Sequence, residues 1–196
     1  MSIHIIRSEI QASIDVKTLI LRDTLLMQKV YDLASQCTQC LRAGGKIIFC
    51  GNGGSFADAQ HLSAEYLVRL RPNVNRKPIP AISLAQDTST LTACGNDYDF
   101  SDIFLRTFQA LHNKNDILLV ISTSGNSKNI IKVLKEAKKR GVKTIGFLGS
   151  DGGKCKNLCD VKIIIPSNIT ARIQECHIFI GHFILEKVED LIIKKN

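Results

Sequence analysis

Residues 116–127, Asp116-Ile-Leu-Leu-Val-Ile-Ser-Thr-Ser-Gly-Asn-Ser127, decide the fold: an unbroken apolar run passes there straight into a hydroxyl-rich turn and then a helix-length stretch. A strand buried on both faces reads in this way, and a strand feeding a helix is the repeating unit of a parallel sheet. Three more segments have the same character: Lys46-Ile-Ile-Phe-Cys50, Lys143-Thr-Ile-Gly-Phe-Leu148 and Asp160-Val-Lys-Ile-Ile-Ile165. Pro80-Ala-Ile-Ser-Leu84 is a weaker fifth, with its proline suited to a first strand position. Helix-length stretches separate them, at 55–69, 87–112 with a break near Gly95, 127–140 and 170–194. The alternation predicts an α/β fold, an open sandwich with a parallel sheet covered by helices on both faces.

Ahead of the first strand, Leu26, Val30, Leu33, Cys37 and Leu41 recur at helical spacing and end at Gly44-Gly45, which predicts an amphipathic helix packed on the sheet. A second helix upstream carries Ile6, Ile10 and Ile14 with little core left to cover, so residues 1–43 are read as a helical extension making oligomer contacts. No repeat, low-complexity tract or linker marks a boundary, and residues 1–196 are expected to form one domain.

With 44% apolar and 22% charged residues, the chain can build a sizeable core and is not disordered. The net charge of +8 suits anionic ligands. Nucleic acid is not expected as a partner, since no helix-turn-helix is visible and there are only three Tyr, eight Phe and no Trp. The longest apolar stretch, Ile178 to Leu185, is interrupted by Gly181 and His182 and falls short of a membrane span. Arg7 and Glu9 fall where a signal peptide would carry its apolar core, so a cytoplasmic location is expected. Seven scattered cysteines are an odd number, as for reduced thiols, and Cys37-x-x-Cys40 falls inside a predicted helix with no second pair to make a zinc site.

In open parallel sheets ligands sit beyond the carboxyl ends of the strands. Two turns there stand out. Ser122-Thr-Ser-Gly-Asn-Ser127 places hydroxyls and backbone N–H groups at a helix N-terminus, either as a phosphate cradle or as a plain N-cap with a polar turn. Gly51-Asn-Gly-Gly-Ser55 also opens a helix; it has neither the lysine of a Walker A loop nor dinucleotide spacing, and is either a ligand loop or a tight turn. On the helix that follows, His61 and Glu65 are four apart and share a face, as metal ligands, as a base with its neighbour, or as a surface pair. The last helix offers Gln174, Glu175, His177 and His182 among apolar residues. Gln174 and His182 lie about 80° apart round that helix and roughly 12 Å along it, so one metal touches both only with long reach. They bracket a ligand or meet groups from another subunit, or His182 is a satisfied core histidine. The many lysines of residues 128–140 read as a solvated face that raises the local potential for phosphates.

Gly51-Asn-Gly-Gly-Ser-Phe-Ala-Asp-Ala-Gln-His61, the loop Ser122–Ser127 and Ala171-Arg-Ile-Gln-Glu175 with His182 together resemble the sugar isomerase (SIS) domain of bacterial phosphoheptose isomerases. The likeness spans essentially the whole chain. It implies a five-stranded parallel sheet between helices, flavodoxin-like or Rossmann-like, and a homotetramer. It also implies interconversion of sedoheptulose 7-phosphate with D-glycero-D-manno-heptose 7-phosphate, a step toward lipopolysaccharide or surface polysaccharide. By resemblance, Ser122, Thr123, Ser124 and Ser127 hold the phosphate with Ser55 and the loop Asn52, Gly53 and Gly54. Asn96 and Asp97 contact the sugar, His61, Glu65, Gln174 and His182 match zinc positions, and Gln174 and Glu65 also touch substrate.

Aldose–ketose isomerisation moves a proton between C1 and C2 through an enediol and needs a base at carbon and an acid or metal at oxygen; Glu65 and His182 are the expected acid/base pair. The rival reading is a non-catalytic SIS-domain protein that binds the replication initiator. Such relatives share the Arg-Ile-Gln-Glu motif but replace the positions of Glu65 and His182, both of which are present here. A sugar-phosphate-sensing regulator of transcription would need an added DNA-binding domain, for which the chain has no room.

Overall fold

The computed structural model describes residues 3–193. In chain order its elements are α1 (Ile3–Arg22), α2 (Thr24–Arg42), β1 (Ile47–Gly51), α3 (Gly54–Leu67), β2 (Ala81–Ser83), α4 (Thr88–Asp97), α5 (Ile103–Leu111), β3 (Ile117–Ser122), α6 (Lys128–Lys139), β4 (Lys143–Gly149), β5 (Val161–Ile165) and α7 (Thr170–Ile193). The five strands form one parallel sheet in the order β2-β1-β3-β4-β5. From β1 the chain first moves outward to β2, then crosses back to place β3 on the other side of β1. The carboxyl ends of β1 and β3 therefore flank the topological switch point, where helices leave in opposite directions and open a crevice.

Side chains alternate across the sheet because successive strand residues point to opposite faces. Ile47, Phe49, Leu119, Ile121, Phe147 and Ile163 join the core beneath α2, α3 and α7. Ile48, Cys50, Leu118, Val120, Leu148 and Ile164 face the core beneath α4, α5 and α6. The strands are short of polar positions because both faces are covered.

The expected break near Gly95 falls later. Gly95 continues α4, whose N-terminus is capped by the Asp87 carboxylate, and the helix ends at Asp97 before a 3-10 turn at Phe100–Asp102. A single glycine costs a helix only about 1 kcal/mol, which the cap offsets. In α2, Leu26, Val30, Leu33 and Cys37 are buried as the spacing requires, and Leu41 is partly buried. The helix α1 buries Val16 and Ile20 while Ile3, Ile6, Ile10 and Ile14 stay at least half exposed. Arg172 and Glu175 fasten this helix: Arg172 Nη1 donates to the Glu9 carbonyl at 2.6 Å, and Ser13 Oγ donates to Glu175 at 2.6 Å.

His177 is a core histidine. It is fully buried against Phe147, and its ring nitrogen Nε2 lies 3.1 Å from the Leu148 carbonyl. Burial lowers its pKa from 6.5 to about 4. The unfolded chain thus binds a proton below pH 6.5 that the folded chain refuses until about pH 4. Stability is expected to fall across that window as the pH drops, by at most roughly 3 kcal/mol from this residue, and to level off below it. Urea midpoints measured against pH for the parent and His177→Gln check this; identical slopes would remove His177 as the source.

Candidate functional site

Both loops singled out in the sequence meet at the switch point. A small cavity there is lined by Asn52, Ser55, Ile121, Ser122, Thr123, Ser124 and Ser127, so hydroxyls from the β1 and β3 loops face one space. Ser55 and Ser122 are buried. Gly125 turns the second loop with φ of 62°, and a Cβ there would stand 2.1 Å from the Gly152 carbonyl oxygen, so only glycine fits. Ser122 Oγ accepts from the Gly125 N–H at 3.1 Å and Ser124 Oγ from that of Asn126 at 3.2 Å, which fixes the loop on itself. Ser127 occupies the N-cap position of α6 but makes no side-chain capping bond, and the N-cap of α3 is Gly53, which has no side chain to cap it. Two helix N-termini thus border one cavity; within them the Ile130 N–H is taken by Asn129 Oδ1, and the Ser55 and Phe56 N–H groups by the Asn52 and Gly53 carbonyls, so the hydroxyls of the cavity are its main free donors.

Asn129 was not a sequence candidate. Its side chain is buried and forms a reciprocal amide pair with Asn52, at 2.8 and 2.9 Å, that ties the glycine loop to the first turn of α6. An asparagine among lysines and isoleucines carries little signal on its own; only the neighbouring loop gives it a task.

Further along α3, His61 meets His182 of α7 with Nε2 atoms 2.9 Å apart and the rings edge to face. Gly181 makes this approach possible, since a Cβ there would come within 2.7 Å of Leu62. Glu65 Oε1 lies 3.6 Å from His61 Nε2, and its Oε2 is buried with no hydrogen-bond partner. His182 has its pKa lowered by burial and by His61, with Glu65 pulling the other way, so a neutral imidazole is favoured there.

Gln174 stands apart from this trio. Its amide lies against Gly54, where an added Cβ would meet Nε2 at 2.6 Å, so it borders the loop end of α3. The two helices run alongside each other, and the eight-residue spacing that separates Gln174 from His182 keeps it about 12 Å away along the axis. Asn96 and Asp97 are exposed at the end of α4, with Asn96 Nδ2 donating to Asp97 at 2.8 Å, and neither lines the cradle.

Among the described residues no three His, Cys, Asp or Glu side chains form a ready-made metal-ligand set. The donor chemistry of His61, His182 and Glu65 nevertheless fits a zinc ion. Two imidazole nitrogens converge and a carboxylate oxygen without a partner stands beside them, the nitrogen and oxygen donors that zinc takes. Cys37-x-x-Cys40, set aside as a zinc site from the sequence, lies buried in α2, and burial pushes its thiols up to about 12 and about 11, far from the thiolates that metal or redox chemistry needs.

The fold and site define a class: an open α/β domain with a hydroxyl-lined cavity at its switch point and, further along α3, His61 and Glu65 facing His182 of α7. The SIS domain family matches residues 16–149. A phosphoheptose isomerase of Nitratiruptor sp. is 50% identical over 161 residues, covering 82% of this chain and 85% of that one. One from Clostridium acetobutylicum is 45% identical over 186 residues, covering 95% and 94%. The solved structure of a phosphoheptose isomerase from Francisella tularensis superposes with a TM-score of 0.91 at 37% identity, covering 97% of this chain and 99% of that one. The chain belongs to the SIS domain family and, within it, to the phosphoheptose isomerase family.

Proposed function

We infer that this chain is an aldose–ketose isomerase acting on sedoheptulose 7-phosphate and D-glycero-D-manno-heptose 7-phosphate. The convergence of Glu65 with His61 and His182 beyond a hydroxyl-lined cradle carries the reading. The separation suits a long sugar. Ser55 and Glu65 are ten residues apart on one helix, about 15 Å between their Cα atoms, and in a heptose 7-phosphate the reacting C1 and C2 lie at the far end from the phosphate.

In the ketose-to-aldose direction the Glu65 carboxylate takes a proton from C1 and returns it to C2. His182 hands a proton between the oxygens, so that O2 becomes a hydroxyl and O1 a carbonyl with no net change in oxidation. Ser122, Thr123, Ser124, Ser127 and Ser55 hold the phosphate, and with it the register of the carbon chain. A zinc ion held by His61, His182 and Glu65 would supply positive charge beside the substrate oxygens. Gln174 and the loop Asn52–Gly54 border the phosphate end, and Asn96 and Asp97 are assigned to the sugar by family likeness alone.

Other features support the wider setting. The exposed isoleucines of α1 supply an apolar face for the homotetramer that the family likeness implies. Seven free, buried cysteines suit a reducing compartment such as the cytoplasm, and no helix among the described residues is long and apolar enough to cross a membrane. Supply of heptose for lipopolysaccharide or surface polysaccharide is the role such a product would serve. The non-catalytic, initiator-binding alternative gives no reason for Glu65 and the two histidines to converge.

Incubation of the purified protein with sedoheptulose 7-phosphate, followed by NMR with and without a chelator, tests the reading. Aldose formation is expected, and its absence under both conditions would refute it. Replacing Ser122 and Ser124 together by Ala is expected to raise KM for the phosphorylated sugar about 100-fold or more, since each hydroxyl lost from a charged ligand costs roughly 1.5–3 kcal/mol. An unchanged KM would dismiss the cradle.

A further inference from the structure

Between α3 and β2, Arg71 and Arg76 converge on a single carboxylate of α7, that of Glu189. Arg71 Nε donates to Oε2 at 2.8 Å and Arg76 Nε to Oε1 at 2.6 Å. Glu189 is fully buried and only 2% of the Arg76 side chain is exposed. Arg76 directs its remaining donors at main-chain carbonyls: Nη2 reaches Glu65 O at 2.7 Å, and Nη1 reaches Tyr66 O at 2.9 Å. Nη1 also meets its own neighbour, Lys77 O, at 3.1 Å.

The carbonyls of Glu65 and Tyr66 belong to the last turn of α3, where acceptors lack intrahelical donors and a cation complements the helix dipole. One guanidinium therefore closes α3 at the very residue whose carboxylate moves the proton. Its anchor is set by the same geometry. Glu189 is seven residues, two turns, beyond His182 on α7, so the ion pair ties the end of α3 to the helix that carries the facing imidazole.

We propose that Arg76, held by Glu189, is a positioning residue for Glu65: by capping the Glu65 and Tyr66 carbonyls and pinning them to α7, it fixes the carboxylate relative to His182 and the bound sugar. It rests on the reading of Glu65 as the proton-moving group. Arg76 acts through the backbone and touches no substrate. The cradle lies at the other end of α3, so loss of the clamp disturbs the reacting end of the sugar and leaves the phosphate grip alone.

Single removal of either partner strands a buried charge, so the test uses the double variant Arg76→Met/Glu189→Leu, in which apolar side chains fill the space of the pair. The variant is expected to fold, to keep KM for sedoheptulose 7-phosphate within about twofold, and to lose about 100-fold in kcat, the penalty of a reacting group displaced by about an ångström. Amide hydrogen exchange across residues 62–70 is expected to quicken. Arg76→Lys, which keeps the charge but cannot reach both carbonyls and Glu189 together, is expected to lower kcat less with KM again unchanged. A folded variant of either kind with parental kcat, a rise in KM matching the fall in kcat, or parental exchange at 62–70 would overturn the proposal. Glu65→Gln measured alongside separates the two ideas: if it turns over normally the role of Glu65 fails, whereas hydrogen exchange still judges the clamp.

Discussion

Glu65→Gln is expected to abolish turnover, lowering kcat by about 10³-fold or more, while the protein stays folded and still binds the sugar phosphate. The substitution preserves volume and leaves the cradle untouched, but an amide cannot accept the proton that must leave C1. Such a loss corresponds to about 4 kcal/mol of transition-state stabilisation, in the range of a positioned acid–base group. Glu65 is placed for it beside the two imidazoles, with Oε1 3.6 Å from His61 Nε2 and no hydrogen bond from the chain to Oε2. Single-turnover NMR with sedoheptulose 7-phosphate, with binding measured separately by calorimetry, checks both halves. Normal turnover would remove Glu65 from the mechanism.

Glu189→Ala is expected to be the most damaging single change to stability. Glu189 is fully buried with one arginine on each oxygen. Its removal strands the Arg76 guanidinium, 2% exposed, in the interior, and breaking a buried pair in this way costs about 3–5 kcal/mol. For a chain of this size that lowers Tm by roughly 6–20 °C. The contrast is Lys17–Glu175, at 3.8 Å and with side chains 45% and 38% exposed, where solvent screening leaves little to lose. Thermal unfolding of Glu189→Ala and Lys17→Ala, compared at one protein concentration, checks the ordering. Equal loss at the two sites would show that burial does not set the cost here.

The hydroxyl-lined end of the site was largely legible from local pattern. A strand, a run of hydroxyls with one glycine and a helix are contiguous at residues 117–128, and their geometry follows from neighbours a few residues away. Asn129 escaped because its partner Asn52 is 77 residues distant. The reacting end was legible only as candidates. His61 and Glu65 share a helix face by their spacing, but that His182 comes within 2.9 Å of His61 depends on how closely α3 approaches α7 beside Gly181. The spacing of Gln174 from His182 along α7 was legible in advance, whereas its place beside Gly54 at the loop end of α3 was not. The sequence gives no sign that Arg76 does more than decorate a loop between Asn75 and Lys77.

By itself, then, the order of residues determined the alternation of strands and helices, the two-sided burial of the sheet and the hydroxyl-rich turn at its switch point. These arise from hydrophobic periodicity and backbone chemistry that act over a few residues. Tertiary structure alone decided which imidazole meets His61 and which guanidinium closes the helix of Glu65. The imidazole contact and the anchoring of Arg76 by Glu189 join residues more than a hundred positions apart, and they exist only once α3 and α7 have packed.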